Sequence, residues 1–316
     1  MALYRGRFAP SPTGRLHLGN ARTALLGWLW ARSEGGQFLL RIEDLDRQRC
    51  RPQFLDDLYR DLEYLGLDWD ETPWVQSERT DVYDAALDRL RAQGLVYPCW
   101  CSRAEVLRAA SAPHGPSDEG PRYPETCARL TPAEEAARAK SAAGRTASLR
   151  FRPSPGEVCF EDVLHGRICQ DVHAEVGDFT VRRADGVASY QLAVVVDDAA
   201  SGVTHVLRGD DLLLSTPRQL QLYEALGLQA PRFAHVPLVM GPDGKRLAKR
   251  EGAFAVTELR EAGVRAERVL GLLAGWSGLG YSPVSALELS ARFEMAALPR
   301  APVKTSEAEI RTALGI

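Results

Sequence analysis

Two short segments of the sequence carry residue types that handle phosphate. The first is FAPSPTGRLHLGNART, residues 8–23, in which prolines and glycines surround His17 just before a helical pattern. A loop that leads into the N-terminus of a helix presents backbone N–H groups to an anion. Gly19 has no Cβ and lets the backbone approach a ligand closely. The segment therefore predicts a phosphate site, or else a tight turn in which His17 only caps the helix.

The second segment is GPDGKRLAKREG, residues 241–252. It places four cations within six positions, at Lys245, Arg246, Lys249 and Arg250. Cations on a turn suit a leaving group that gains negative charge, such as pyrophosphate. Taken alone, such a cluster is more typical of an exposed, solvated turn.

The cysteines form a third group with chemical potential. The chain has six, Cys50, Cys99, Cys101, Cys127, Cys159 and Cys169. A disulfide scaffold is not expected in a chain of this length without a secretion signal. Cys99, Cys101 and Cys127 could bind zinc, although one residue separates the first two where zinc knuckles usually have two to four. The fourth ligand is left open between His114 and Tyr123, and the other three cysteines are expected to be ordinary thiols.

Alternating strands and helices must position these groups. The first 98 residues predict strand, helix, strand, helix, helix, with the opening strand over Arg5 to Ala9 and a second strand, QFLLRIEDLD, over 37–46. This alternation favours a parallel α/β layer. Later, the near-continuous apolar run ASYQLAVVVDD, residues 188–198, predicts a strand buried on both faces, and VTHVLRGDDLL follows it. Arg7, Glu43 and Arg208 then each lie at a strand end, where open α/β sheets bind their ligands.

Composition and length bound the organisation of the chain. It has 316 residues, which suggests about two domains, with 45% apolar and 26% charged residues and a net charge of −3. The chain is thus not uniformly basic, which leaves only local basic patches for a nucleic-acid partner. No apolar run reaches the ~18 residues that a membrane span needs, and no signal peptide is apparent, so we expect a cytoplasmic protein. We predict two halves of an α/β domain at 1–98 and 186–236, an insertion at 99–185, and a final region at 237–316.

Five blocks of sequence occur in one order: RFAPSPTGRLHLGNART, LLRIEDLD, YQLAVVVDD, HVLRGDDLL and GKRLAKREGA. This order resembles the catalytic half of the class I glutamyl-tRNA synthetases. His17-Leu18-Gly19-Asn20 is similar to the HIGH element of that family, and residues 246–250 are similar to its KMSKS element. The chain departs from the family at Asn20, where histidine is usual, and at Arg246 and Ala248, where lysine and serine are usual.

The resemblance implies a fold and an ATP site. The fold would be an α/β, Rossmann-like class I aminoacyl-tRNA synthetase catalytic domain with an inserted zinc-bearing, acceptor-type subdomain and a short C-terminal helical region. ATP, accompanied by Mg²⁺, would be bound by His17, Gly19, Asn20, Arg246 and Lys249. Of these, His17 and Lys249 would be catalytic and stabilise charge on the phosphates.

The resemblance also implies a site for glutamate, which has two carboxylates and one ammonium. Arginine matches carboxylates in bidentate fashion. The implied glutamate-binding residues are Arg7, Phe8, Ala9, Pro10, Ser11, Glu43, Tyr190 and Arg208. Among them, Glu43 would bind the ammonium and Tyr190 would donate its hydroxyl, whereas the carboxylate taken by each arginine is left open.

Short paralogs of the family, the glutamyl-Q tRNA(Asp) synthetases, show the nearest resemblance. They carry C-x-C followed by Y-x-x-x-C, which implies the zinc ligands Cys99, Cys101, Tyr123 and Cys127. Only about 65 residues follow Arg250, which we expect to be too few for a helical anticodon-binding domain. The implied reaction is activation of L-glutamate without tRNA, then transfer to the cyclopentene-diol of queuosine in the anticodon of tRNA(Asp), by a monomer. A truncated enzyme that charges the 3′ end of a tRNA, or an inactive paralog that binds glutamate or nucleotide, are the alternatives.

Overall fold

The computed structural model describes residues 4–109, 122–142, 144–245, 247 and 254–316. The β-strands are β1 Arg5–Phe8, β2 Gln37–Ile42, β3 Trp74–Val75, β4 Val96–Cys99, β5 Ser148–Phe151, β6 Val158–Asp162, β7 Gly166–Gln170, β8 Phe179–Arg182, β9 His205–Gly209, β10 Arg232–Val236, β11 Val239–Met240 and β12 Val303–Lys304. The α-helices are α1 Leu18–Ser33, α2 Pro52–Tyr64, α3 Thr80–Ala92, α4 Arg103–Ala109, α5 Pro132–Ser141, α6 Val172–Glu175, α7 Tyr190–Ala200, α8 Thr216–Ala225, α9 Val256–Glu261, α10 Ala266–Gly275, α11 Ala286–Ser290 and α12 Glu307–Leu314. Short 3-10 helices lie at Gln76–Glu78, Asp210–Ser215 and Met295–Ala297.

The central layer consists of two groups of strands that meet at β1 and β9. On one side the order is β1-β2-β3, all parallel. On the other side the order is β9-β10-β6-β7, in which β10 is parallel to both of its neighbours. Strand β1 lies alongside β9, where the Thr204 N–H donates to the Arg5 carbonyl (2.9 Å). The chain runs from β1 outward to β2 on one side of the β1–β9 junction, and from β9 outward to β10 on the other side. Such a reversal of strand order places a ligand-binding crevice at the carboxyl ends of β1 and β9.

Helix α1 is buried along nearly its whole length because it is covered from two directions. One side of α1 contacts strands β1 and β9, and α10 and α11 pack on it as well. Leu25 and Leu29 of α1 share one apolar cluster with Leu273 of α10 and Leu289 of α11. The C-terminal helices α10 and α11 therefore pack against the central layer through α1.

A separate antiparallel sheet, β4-β5-β8, lies within and beside residues 99–185. The hairpin of β6 and β7 also falls in this range, but it extends the central layer through the pairing of Asp162 with Phe233. The division of the chain into domains stays a prediction. No helix within the described part of the chain is long and apolar enough to cross a membrane.

One predicted strand is wrong. The run ASYQLAVVVDD forms helix α7, which begins after Ser189, whose hydroxyl accepts the Leu192 N–H (3.5 Å). All eight residues from 191 to 198 are buried. A helix covered on every side has no polar stripe, so periodicity could not distinguish it from a buried strand.

The prediction that Cys159 and Cys169 are ordinary thiols is also wrong. The two residues form a disulfide across the β6–β7 hairpin. Antiparallel pairing places Cys159 directly opposite Cys169. The sequence predicted the hairpin, but not the register that brings the two thiols together.

Candidate active site

A cavity of about 430 Å³ opens at the carboxyl ends of β1, β2 and β9. Its walls include every predicted glutamate-binding residue, and every predicted ATP-binding residue that the structure describes. These are Arg7, Phe8, Ala9, Pro10, Ser11, His17, Gly19, Asn20, Glu43, Tyr190 and Arg208. The strands and the α1 helix thus bring together residues that lie up to about 200 positions apart in the chain.

A buried network of charges forms the floor of the cavity. Arg41 donates to Glu43 (3.0 Å) and to Asp198, and Arg7 donates to the same Asp198 carboxylate (3.4 Å). All four side chains are at most about one-tenth exposed. Since buried charges are stable only when paired and hydrogen-bonded, each member holds its neighbours in one geometry. The network leaves Arg7 and Glu43 at the cavity wall with their side chains fixed from behind.

The protonation of this network follows from burial and from its charges. Burial raises the pKa of Glu43, and the nearby Arg41 and Arg7 only partly oppose that shift. Burial acts in the same direction on Asp198, but Arg41 and Arg7 outweigh it and hold the pKa of Asp198 below its ordinary value. Asp198 is therefore charged. Glu43 is more easily protonated, and a cation bound beside it would favour its charged form.

The opposite wall is built around Arg208, at the end of β9. Its terminal nitrogens donate to the Tyr190 hydroxyl (3.2 Å) and to the Thr216 hydroxyl (2.8 Å). Its Nε donates to Nε2 of His235 on the adjacent strand β10 (3.0 Å). The guanidinium is thus held at three nitrogens while it lines the cavity.

The N-terminus of α1 faces the same space. His17 is the N-cap residue of α1, and its side chain makes no capping hydrogen bond. No atom lies within 4 Å of the point where a Cβ on Gly19 would stand. The helix terminus therefore opens onto the cavity, in the arrangement that favours an anion.

Leu247 of the cation-rich turn lies at this cavity, and Phe254, which follows the turn, contacts Leu18 of the cavity wall. Arg246 and Lys249 themselves, with Ala248 and Arg250, lie outside the described residues. Leu247 lines the cavity and donates its N–H to the Val239 carbonyl (3.1 Å). Beyond the turn, the Leu18 N–H donates to the Phe254 carbonyl (3.2 Å) and the Val256 N–H to the Leu16 carbonyl (2.8 Å). Leu247 therefore lies at the cavity, and Phe254 lies at the N-terminus of α1.

A cluster of three cysteines and one tyrosine lies at the end of β4. The Tyr123 hydroxyl is 3.3 Å from Cys99 Sγ and 3.6 Å from Cys101 Sγ, and the latter is 3.6 Å from Cys127 Sγ. All three sulfurs lie within 4.8 Å of one another. In a tetrahedral site with metal–sulfur bonds of ~2.3 Å and a metal–oxygen bond of ~2.1 Å, neighbouring ligand atoms would be about 3.6–3.8 Å apart. The four side chains therefore fit a metal ion, while His114, the other candidate ligand, lies outside the described residues.

Three residues of the site were not foreseen from the sequence. Arg41 lies in β2, and Glu43 follows the end of that strand two positions later. In extended chain this spacing places both side chains on one face, which could have indicated the pair. Asp198 ends an apolar run, and acids there are unusual unless they are paired. His235 carried no local indication, because its contact with Arg208 depends on the pairing of β9 with β10.

Comparison with known proteins gives consistent matches. The profile of the family described as tRNA synthetases class I (E and Q), catalytic domain, matches residues 4–312. A glutamyl-Q tRNA(Asp) synthetase of Symbiobacterium thermophilum is 56% identical over 95% of this chain and 95% of its own length. A glutamate–tRNA ligase of Halorhodospira halophila is 52% identical, but the match covers 57% of that protein. Among solved structures, a glutamate tRNA ligase from Elizabethkingia meningosepticum in complex with its amino acid superimposes with a TM-score of 0.83 at 29% identity, over 98% of this chain and 68% of the other.

Proposed function

We propose a function from the premise that this chain belongs to the glutamyl-Q tRNA(Asp) synthetases, within the class I tRNA synthetases for glutamate and glutamine. It is a ligase that activates L-glutamate with ATP, without tRNA, and transfers the glutamyl group to the cyclopentene-diol of queuosine in the anticodon of tRNA(Asp). The observation that carries the proposal is one cavity whose walls hold Arg7, Arg208 and Glu43, together with Arg22, Asp211 and a helix N-terminus.

Three of the charged side chains that line the cavity match the charges of glutamate. Arg7 and Arg208 bind the two carboxylates, and Glu43 binds the ammonium. Ammonium binding adds a positive charge beside Glu43, which offsets the effect of burial on its pKa. The Tyr190 hydroxyl, which lies beside Arg208, donates a hydrogen bond to the ligand. Phe8, Ala9, Pro10 and Ser11 line the same site and contact the ligand.

ATP binds at the N-terminus of α1, as its Mg²⁺ complex. Gly19 and Asn20 lie in the first turn of α1, and His17 precedes it, so backbone N–H groups and an imidazole can meet the phosphates. Lys249 follows Leu247 by two positions and precedes Phe254 by five. Because Leu247 lines the cavity and Phe254 hydrogen-bonds to Leu18, which also lines it, chain connectivity supports the assignment of Lys249 and Arg246 to the phosphates.

The chemistry consists of two displacements. An oxygen of the glutamate α-carboxylate forms a bond to the α-phosphorus of ATP, and the bond to the bridging oxygen breaks, so that pyrophosphate leaves with the electron pair. A ring hydroxyl of queuosine then attacks the carbonyl of the glutamyl-adenylate, and AMP leaves. Orientation and stabilisation of charge by His17, Lys249 and Arg246 lower the first barrier, and no covalent enzyme intermediate is needed.

The cysteine cluster holds a structural zinc ion. Cys99, Cys101, Tyr123 and Cys127 are its ligands, and zinc supplies folding free energy at such sites. The cluster lies in the range 99–185, which we propose as an inserted subdomain between the catalytic segments 1–98 and 186–236, with 237–316 as a third, partly helical region.

Two assays test the proposal. The protein should catalyse glutamate-dependent exchange between ATP and pyrophosphate in the absence of tRNA; no exchange would indicate an inactive paralog. With radiolabelled glutamate and tRNA(Asp), label should enter only the queuosine-containing tRNA, and nuclease digestion should release it on the anticodon nucleotide. Label on the 3′-terminal adenosine would instead show that the chain charges tRNA like the glutamate–tRNA ligases it also matches.

A further inference from the structure

Behind Arg208 lies a buried imidazole that the reaction as proposed does not use. His235 is 0% exposed and lies on β10, one strand away from Arg208. Its Nε2 is 3.0 Å from Nε of Arg208, and its Nδ1 is 2.7 Å from Oδ2 of Asp162. Asp162, His235 and Arg208 therefore form a continuous chain of hydrogen bonds that ends at the cavity.

The direction of this chain is fixed by the chemistry of its two ends. A guanidinium nitrogen can only donate, so Nε2 of His235 must present its lone pair to Arg208. The proton of the ring then resides on Nδ1 and is donated to Asp162. The other oxygen of Asp162 accepts the backbone N–H groups of Leu164 and His165 (both 3.0 Å), which prevents the carboxylate from turning away.

The electrostatics agree with a neutral imidazole. Burial is the main cause that lowers the pKa of His235 to about 4, against the opposing effect of Asp162. The group that accepts the hydrogen bond from Nε of Arg208 is consequently the neutral imidazole of His235. Among the described residues no ion pair joins Arg208 to a carboxylate, whereas Arg7 is paired with Asp198 (3.4 Å). Arg208 still acts at a distance on Asp198, where it helps to hold the pKa of that carboxyl low, but its guanidinium stays open to an ion pair with a ligand.

We infer that His235 is a positioning residue for glutamate recognition: its Nε2 orients the Arg208 guanidinium, and Asp162 selects the tautomer that can do so. The inference rests on the proposed function, because Arg208 is taken to bind a glutamate carboxylate. Tyr190 and Thr216 hold the two terminal nitrogens of Arg208. The Thr216 hydroxyl also lies 3.3 Å from Nε2 of His235. Loss of the imidazole therefore removes both the acceptor at Nε and a contact of Thr216, and the guanidinium loses the alignment that a bidentate carboxylate contact requires.

Two substitutions of His235 distinguish the positioning of Arg208 by a hydrogen bond from the mere filling of space by the His235 side chain. In His235→Asn the amide ends near the position of Nδ1, so it can reach Asp162 but not Arg208. In His235→Gln the amide oxygen reaches the position of Nε2 and can accept from Arg208. We expect His235→Asn to raise KM for glutamate about tenfold in ATP–pyrophosphate exchange, as for loss of a hydrogen bond to a charged group, with KM for ATP within about twofold of wild type. His235→Gln should restore most of the loss.

Asp162→Asn provides a test that keeps the imidazole and its volume. If the amide oxygen retains the two backbone donors, its NH₂ group faces Nδ1, and the ring must carry its proton on Nε2. Nitrogen-15 NMR of labelled histidine should show this change of tautomer, together with a rise in KM for glutamate similar to that of His235→Asn.

The outcomes are distinguishable. A wild-type protein without exchange would refute the proposed function itself. With an active wild type, the inference is refuted by a wild-type glutamate KM in His235→Asn, by equal rises for glutamate and ATP, or by a His235→Gln variant no better than His235→Asn. Should the His235 variants not fold, a normal tautomer or a normal glutamate KM in Asp162→Asn would overturn it.

Discussion

The substitution Asp198→Asn probes the buried network under the cavity. Asp198 is 3% exposed and accepts from both Arg7 and Arg41, which are themselves 5% and 4% exposed. The amide has nearly the same volume but loses the charge, and its NH₂ group cannot accept from either guanidinium. Arg41 then keeps Glu43 (3.0 Å) and the more distant Asp197 (3.9 Å) as anionic partners, whereas Arg7 loses the one carboxylate with which it forms an ion pair in the described part of the chain. Removing one partner from a buried ion pair typically costs 3–5 kcal/mol, so we expect the free energy of unfolding to fall by about 3 kcal/mol.

A matched control has the same chemistry in a different environment. Asp88 pairs with Arg91 at 2.6 Å, but these side chains are 72% and 50% exposed. Exposed pairs contribute about 0–1 kcal/mol, so Asp88→Asn should have a much smaller effect. Urea unfolding of both variants, followed by tryptophan fluorescence, gives the comparison through the shift in midpoint at an unchanged slope.

The same variant also tests whether the network positions the ligand. Arg7 loses the carboxylate that orients it, so KM for glutamate should rise in Asp198→Asn and stay unchanged in Asp88→Asn. If Asp198→Asn were as mild as Asp88→Asn in unfolding, the network would not carry the energy assigned to it. If stability fell but KM for glutamate did not change, Asp198 would support the fold without orienting Arg7.

Three further predictions concern the remaining groups. Lys249→Ala should slow ATP–pyrophosphate exchange by about 10²–10³-fold with little change in thermal stability, and a wild-type rate would remove the role given to Lys249. Arg208→Ala should raise KM for glutamate far more than KM for ATP, since it removes charge-assisted hydrogen bonds to one ligand; equal losses for both ligands would count against the assignment. Metal analysis should find about one zinc per chain, and Cys127→Ser should release zinc and lower the melting temperature; protein purified without chelators and lacking zinc would rule out the cluster as its site.

Much of the fold could be predicted because it follows from local patterns. The alternation of strands and helices, with the family resemblance, led to the α/β class I synthetase fold, and the family match and the superposition confirm that fold class. Arg7, Glu43 and Arg208 could be placed near one another because the ends of neighbouring parallel strands meet at one edge of the sheet.

The errors and omissions have a common physical origin in long-range pairing. Helix α7 was predicted as a strand because coverage by distant elements removed the polar stripe that marks a helix. The contact of Asp162 with His235 depends on the pairing of β6 with β10, which are more than 60 residues apart. The Cys159–Cys169 bridge depends on hairpin register, and a shift by one residue would turn every side chain of a strand to the other face.

The hydrogen bond between the Val256 N–H and the Leu16 carbonyl has a consequence for the synthesis of the protein. These residues are separated by 240 positions. At a synthesis rate of 5–20 residues per second, about 10 to 50 s pass between the synthesis of Leu16 and that of Val256, its hydrogen-bond partner. A growing chain shorter than about four-fifths of the full length therefore lacks a hydrogen-bond partner of the α1 N-terminus, where we propose that the nucleotide binds.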